Sequence, residues 1–244
     1  MSNFQLPRFN LGMLCYAVVM ATRRPMAVGE WYHCFNRGVD KRRIFETTAD
    51  YERFLSLLYV SNGVKNVRLA DRYDSSLSAV LADNLLDRGE PLVELGVYTL
   101  MPNHFYLVCR EVRDKGIATF MQKVCTGYTM YFNKKQQRTG SLLAGTFKSK
   151  HVGDDQYFKK VVSYVLLNHA ELFEPKWKEG RGDIALLGEK LLQYPYSSLS
   201  DFLGTQRLQG NIVSNLSEYY DKIPSLEDMI YEAHEYYEEH SSKV

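Results

Sequence analysis

Cysteine is scarce and scattered: Cys15, Cys34, Cys109 and Cys125 form no C-x-x-C pair. That excludes the usual zinc spacings and any disulfide framework, and makes a reducing, cytoplasmic setting the expectation. Cys34 and Cys109 lie in apolar, strand-like runs and read as small core residues. Long hydrophobic runs are missing too. Leu11 to Ala21, between Arg8 and Arg23-Arg24, is too short to span a bilayer and resembles a weak signal-peptide core. The more economical reading is an N-terminal extension over 1–25, with the native start at Met20 or Met26. No internal repeat is evident. Net charge is nearly absent, +1 over 244 residues.

That neutrality conceals a segregation. Met101 to Ala170 holds eleven Lys/Arg against four Asp/Glu, whereas Asn211 to Val244 holds two against eight. A basic middle suits an anionic partner; an unevenly charged, solvated surface is the plainer alternative. Tyrosine is abundant at 18 copies, so none stands out by rarity.

Periodicity outlines the elements. Trp31 to Arg37 reads as a strand, followed by the basic loop Asp40-Lys-Arg-Arg43. Ala49 to about Asn62 reads as an amphipathic helix, and Val67 to Gly89 as a variable loop with some helix. Val93 to Leu100 and His104 to Arg110 form a hairpin across Met101-Pro102-Asn103. Gly116 to about Gln136 carries a helical apolar stripe. Leu142 to Val152 is extended and basic, and Asp154-Asp155 caps a helix running to about His169. Beyond Pro175 the chain reads as irregular, ending in an acidic helix from about Ser225 to Glu239. Strands with long helices between them indicate an α+β sandwich.

Two constellations carry chemistry. In Met-Pro-Asn-His104-Phe-Tyr106, residues i and i+2 of a strand share a face, so His104 and Tyr106 point together. Two imidazoles there would present a divalent metal with a ligand pair, but the chain has one. In Tyr164-Val-Leu-Leu-Asn168, the tyrosine flanks a buried stripe of Phe158, Val161, Val162 and Val165, and Asn168 lies one turn on. A tyrosine so placed can attack a phosphodiester while the Asn carbonyl helps to hold a metal. Taken singly, each has a blander reading: a structural histidine after a turn, and a packing tyrosine.

Taken in order, six blocks resemble one family: Tyr32-His33-Cys-Phe-Asn-Arg37-Gly38 with Arg43-Ile-Phe45; Leu100-Met-Pro-Asn-His104; Tyr131-Phe-Asn133; Gly140-Ser-Leu142 with Phe147-Lys-Ser149; Tyr164-Val-Leu-Leu-Asn168; and Tyr194-Pro-Tyr-Ser-Ser198. They resemble the REP-associated tyrosine transposases, which are single-tyrosine HUH endonucleases. The resemblance spans about residues 31–200. It implies a transposase-like domain over 26–200 with an acidic C-terminal extension over 201–244. The implied fold is a ferredoxin-like (RRM-like) antiparallel sheet with helices on one face, plus a C-terminal helical extension.

The implied activity is metal-dependent cleavage and rejoining of single-stranded DNA through a 5′-phosphotyrosine. Tyr164 matches the nucleophile, and His104 and Asn168 match ligands of Mg²⁺ or Mn²⁺. The implied partner is hairpin DNA with single-stranded flanks, such as repetitive extragenic palindromes, bound by a monomer or homodimer. The chain departs from the pattern at Tyr106, where the second metal histidine belongs, and at His169, where a proline is usual. The site is then rebuilt with His33, or Tyr106 ligates as phenolate, or metal binding is lost and the protein only binds structured DNA. An RRM-like RNA-binding module is a further alternative. The candidate phosphate contacts are Arg37, Lys41, Arg42, Arg43, Lys148 and Lys150, and the candidate stacking residues Phe147 and Tyr128.

Overall fold

Alternation along Trp31–Arg37, with Cys34 on one side and Trp31 and His33 on the other, builds the central strand β1. The computed structural model describes residues 25–177 and 184–241. All but the last residue of the N-terminal extension therefore lies outside the described residues. After β1 come α1 (Thr48–Ser61), a short α2 (Leu77–Ala82), the hairpin β2 (Val93–Met101) and β3 (His104–Glu111), α3 (Gly116–Lys135) and β4 (Lys148–Val152). The strands pair antiparallel in the order β2-β3-β1-β4. With α1 and α3 as the two crossovers, this is the β-α-β-β-α-β ferredoxin-like arrangement.

Both helices pack on one sheet face. Phe54, Leu55 and Leu58 of α1 and Phe120, Met121, Val124 and Tyr128 of α3 join Cys34, Phe105, Leu107 and Cys109 in one core. A capping box starts α1, where Thr47 receives the Asp50 N–H and the Asp50 carboxylate receives the Thr47 N–H at 2.9 Å. That same carboxylate, fully buried, takes Lys135 Nζ at 2.7 Å and the Tyr131 hydroxyl at 3.1 Å. One side chain thus caps α1 and ties it to α3, leaving no acceptor lone pair idle.

The opposite face is covered as well, by the segments that follow β4: α4 (Asp155–Leu167), α5 (Ile184–Gln193), α6 (Leu199–Phe202) and α7 (Leu226–Ser241). Asp154 caps α4 by accepting the Tyr157 N–H at 2.8 Å. Phe158, Val161, Val162 and Val165 of α4 form a second core with Trp31, Val97 and Val108 of the sheet and Met229, Ile230 and Ala233 of α7. The acidic C-terminal helix is therefore part of this layer. Among the described residues, no helix is long and apolar enough to cross a membrane.

The expectation of irregular chain beyond Pro175 is corrected by α5 and α6. Gly188 hides α5 in the sequence because glycine weakens a helix signal. In the fold it packs closely against α7: an added Cβ would come 3.0 Å from Leu226 Cδ2. The Tyr194–Ser198 block covers the β2 edge. Leu100 N–H donates to Tyr196 O at 2.9 Å, and Ser198 N–H donates to Tyr98 O at 3.0 Å.

His169, just after the α4 C-terminus, is fully buried. Its Nε2–H donates to Leu191 O at 3.1 Å and its ring stacks on Tyr194 at 4.6 Å. Burial, only partly offset by hydrogen bonds to backbone carbonyls, lowers its pKa from 6.5 to about 4. Between these values the unfolded chain binds the extra proton, so stability falls as pH falls through that window, by roughly 3 kcal/mol in total. His169→Gln keeps a donor for Leu191 but cannot titrate. Denaturant unfolding of the two proteins should diverge by that amount between about pH 6.5 and pH 4; parallel profiles would clear the imidazole of any part in acid lability.

Candidate functional site

The β1–β3–β4 register arranges the site in rows across the second face. Arg37 is level with His104; Lys148, Phe35 and Tyr106 form the next row, and Lys150, His33 and Val108 the one after. Cross-strand partners share a face, so three cations border a strip of aromatic and imidazole rings. α4 lies over this strip and brings Tyr164 and Asn168 to it. The Tyr164 and Tyr106 rings are 5.5 Å apart, edge to face.

His104 is held from both sides. Its Nδ1 lies 2.6 Å from Asn103 Oδ1 and its Nε2 lies 3.2 Å from Asn168 Oδ1. The Asn168 amide is pinned by donating through Nδ2 to the Tyr237 hydroxyl at 3.1 Å. The donor in each of these hydrogen bonds depends on the tautomer, and an imidazolium donates in both. In the neutral ring with its proton on Nδ1, the Nε2 lone pair faces Asn168 Oδ1, and the two acceptors could then share a cation. Cis ligands about 2.1 Å from an octahedral cation stand about 3 Å apart, so the pair fits a divalent ion. The outward hydrogen bond from the other ring nitrogen is the usual support of a metal-binding histidine. Among the described residues there is no group of three His, Cys, Asp or Glu with metal-site geometry, so the pair does not rest on a conventional cluster.

No protein-family model matches the chain, and neither does any curated protein. Among solved structures, that of a REP-associated tyrosine transposase bound to a REP hairpin aligns with a TM-score of 0.47 and 12% identity, covering 83% of this chain and 97% of the other.

The register removes His33 from the His104 site. His33 is level with Val108, four residues and about 13 Å along the strands from the His104 row. Its ring lies 5.2 Å from Tyr106 and 5.7 Å from Tyr164 instead. Tyr106 is poorly suited to bind as phenolate, because burial raises its pKa despite the Tyr164 hydrogen bond and Arg37. Burial raises the Tyr164 phenol far more, with the phenols of Tyr106 and Tyr237 adding to the shift. The Tyr164 and Tyr106 hydroxyls share a hydrogen bond, so Tyr106 orients Tyr164.

Two stacking candidates are corrected. Tyr128 is fully buried in the α1–α3 core, its hydroxyl donating to Ile44 O, and Phe147 is only 9% exposed in the same core. Neither presents a ring face to a base. Phe35, half-buried between Tyr106 and Lys148, is the aromatic on the site side. Its strand parity with His33 and Arg37 was the signal for it. The exposed loop of Lys41, Arg42 and Arg43 adjoins the site through the hairpin turn: Gly38 N–H donates to Asn103 O at 2.8 Å and Asn103 Nδ2 to Lys41 O at 3.3 Å. Asp40 and Lys41 hold this loop with positive φ, 54° and 58°.

Sequence reasoning missed Tyr236 and Tyr237. They pack on Tyr164 at 4.3 and 5.0 Å, and no local pattern links α7 to α4. Lys150 Nζ also lies over the rings of Tyr157 and Tyr236, at 5.1 and 5.8 Å. This packing has a spectroscopic consequence. A free phenol ionises near pH 10, but the absorbance difference between the wild type and Tyr164→Phe should show no phenolate up to about pH 11. An ordinary titration step in that difference would mean Tyr164 is not packed as described.

Proposed function

We propose that the chain is a transposase-like DNA-binding protein that cleaves and rejoins single-stranded DNA beside a hairpin, with Tyr164 as nucleophile. The observation that carries this reading is the convergence of Tyr164 with His104 and Asn168 on one basic-rimmed end of a sheet face. The resemblance of the sequence blocks supports it. Arg37, Lys148, Lys150 and the 41–43 loop would hold phosphates. Phe35 would take an unpaired base by stacking.

In the reaction, the Tyr164 oxygen attacks the scissile phosphorus and the P–O3′ bond breaks. A 5′-phosphotyrosine forms, and the 3′ oxygen leaves as a hydroxyl. The net reaction moves one proton from the Tyr164 hydroxyl to the departing 3′ oxygen; Tyr106, a neutral phenol, positions the hydroxyl and is not its base. One ester replaces another, so rejoining needs no energy source. His104 Nε2 and Asn168 Oδ1 would hold Mg²⁺ or Mn²⁺, which supplies positive charge to the scissile phosphate. Asn103 and Tyr237 keep those two donors aimed.

Tyr106 in the second imidazole position favours one other reading, a structured-DNA binder that no longer cuts. RNA laid flat across an open sheet, as in RRM modules, is disfavoured because helices cover both faces.

The readings separate on a denaturing gel after incubation with a labelled hairpin oligonucleotide and Mn²⁺. A covalent band that needs metal and vanishes in Tyr164→Phe is expected. A native-gel shift without that band, with the band appearing in Tyr106→His, would establish the non-cutting binder. Lys148→Ala and Lys150→Ala should each weaken binding across sequences and reduce the salt slope by about 1. Phe35→Ala should cost about 1–3 kcal/mol on single-stranded flanks; unchanged affinity would remove it from the interface.

A further inference from the structure

Which nitrogen of His104 carries the proton decides what the neutral ring offers to Asn168. An unassisted imidazole favours Nε2–H, and a hydrogen bond at Nδ1 is what reverses that choice. The partner at Nδ1 is Asn103, whose Oδ1 lies 2.6 Å away. A primary amide turned over would present its NH₂ there and hold the opposite tautomer. The far end of the same amide settles its sense. Asn103 Nδ2 lies 3.3 Å from the Lys41 main-chain oxygen. A carbonyl only accepts, so the nitrogen belongs on that side and the oxygen faces the ring.

The Lys41 carbonyl is aimed by an unusual piece of backbone. Asp40 and Lys41 both have positive φ, 54° and 58°, a region that residues with a Cβ occupy sparsely. The turn closes on itself through Lys41 N–H to Gly38 O and Arg42 N–H to Val39 O, both at 3.1 Å. It is too tight for a side chain at Gly38, where a Cβ would come 2.2 Å from Arg42 O. Strain held at such a place points to a role for the conformation itself. We propose that Asn103 is a positioning residue that fixes the Nδ1–H tautomer of His104, with the strained Asp40–Lys41 turn holding its amide in the required sense. The inference deepens the proposed function and rests on that reading for its catalytic consequence alone. With the proton on Nδ1, the Nε2 lone pair is turned to Asn168 Oδ1, 3.2 Å away. A phosphate drawn to Lys41, Arg42 or Arg43 acts on the same turn that sets the ring, so substrate binding and the state of His104 are coupled in both directions.

The test is the nitrogen-15 spectrum of the imidazoles in the full chain, without DNA or metal and with the rings neutral. The chain has six histidines, and the signal missing from His104→Gln assigns the ring in question. The wild type is expected to carry the proton on Nδ1. Asn103→Ala should move it to Nε2. Asn103→Asp, which presents an acceptor whichever way it turns, should keep it on Nδ1. Lys41→Pro cannot adopt positive φ, so it should release the amide and lose the single Nδ1–H form; adding Asn103→Asp should restore it. Thermal melting confirms that each variant folds. On the denaturing gel with hairpin DNA and Mn²⁺, Asn103→Ala should form the covalent band about 10–100-fold more slowly than wild type. A wild-type ring protonated on Nε2, or an Asn103→Ala ring still protonated on Nδ1, would overturn the proposal. An unchanged ring in Lys41→Pro would overturn the part given to the turn. The spectra involve neither DNA nor metal, so their outcome is separate from the covalent band that decides the proposed function.

Discussion

Every geometric relation at the site passes through the register of β3. The strand is hydrogen-bonded to β2 on one side and β1 on the other. A slip of one residue would turn His104 and Tyr106 into the α1–α3 core and bring Phe105 and Leu107 to the site. Phe105, Leu107 and Cys109, all fully buried, make that slip costly. The turn fixes it from the other end, where Pro102 O accepts Ile44 N–H and Asn103 O accepts Gly38 N–H, both at 2.8 Å. Asn103 belongs to fold and site at once, since its oxygen takes His104 Nδ1 while its amide holds the basic loop at Lys41. The same few bonds therefore set which face His104 occupies, how its ring is turned, and where the basic loop sits.

Tyr164 is subject to opposed demands. Packing its ring against Tyr106, Tyr236 and Tyr237 contributes about 0.5–1.5 kcal/mol per aromatic pair, and it seats the hydroxyl in one direction. Those rings also displace the water that would stabilise a phenolate, so the better the side chain is seated, the harder it is to ionise. Desolvation dominates the shift at this position. An attacking oxygen with that environment depends on positive charge delivered locally, and the cations Arg37, Lys148 and Lys150 border the strip rather than touching the phenol. The partner that the hydroxyl already has, Tyr106, is neutral.

The sheet and its two crossover helices were legible because their signals are local: alternation in β1 and β3, the stripe on α3, and the Asp154 cap on α4. His104, Tyr164 and Asn168 were singled out by the family resemblance rather than by spacing alone, and they lie close in space because the i to i+4 step on α4 and the turn before β3 each leave little freedom. What failed was the surface status of aromatics. Tyr128 and Phe147 look like Phe35 in sequence. Only the parity of β1 and the inward face of α3 separate a core ring from an exposed one. α5 was hidden by Gly188, a residue that packs closely on Leu226 and that helix propensity disfavours. The α7 contact is a long-range pairing of an acidic, tyrosine-rich helix with α4, and nothing within either segment encodes it.

In the proposed reading, the residue at position 106 decides more than a ligand count. An imidazole there would give a cation a second neutral nitrogen, whereas the phenol gives it nothing and instead shares a hydrogen bond with the Tyr164 hydroxyl. Charge that a ligand set lacks has to come from elsewhere, because a divalent ion held by His104 and Asn168 alone keeps its full +2. The phosphate of bound DNA supplies part of it, but only once DNA is present.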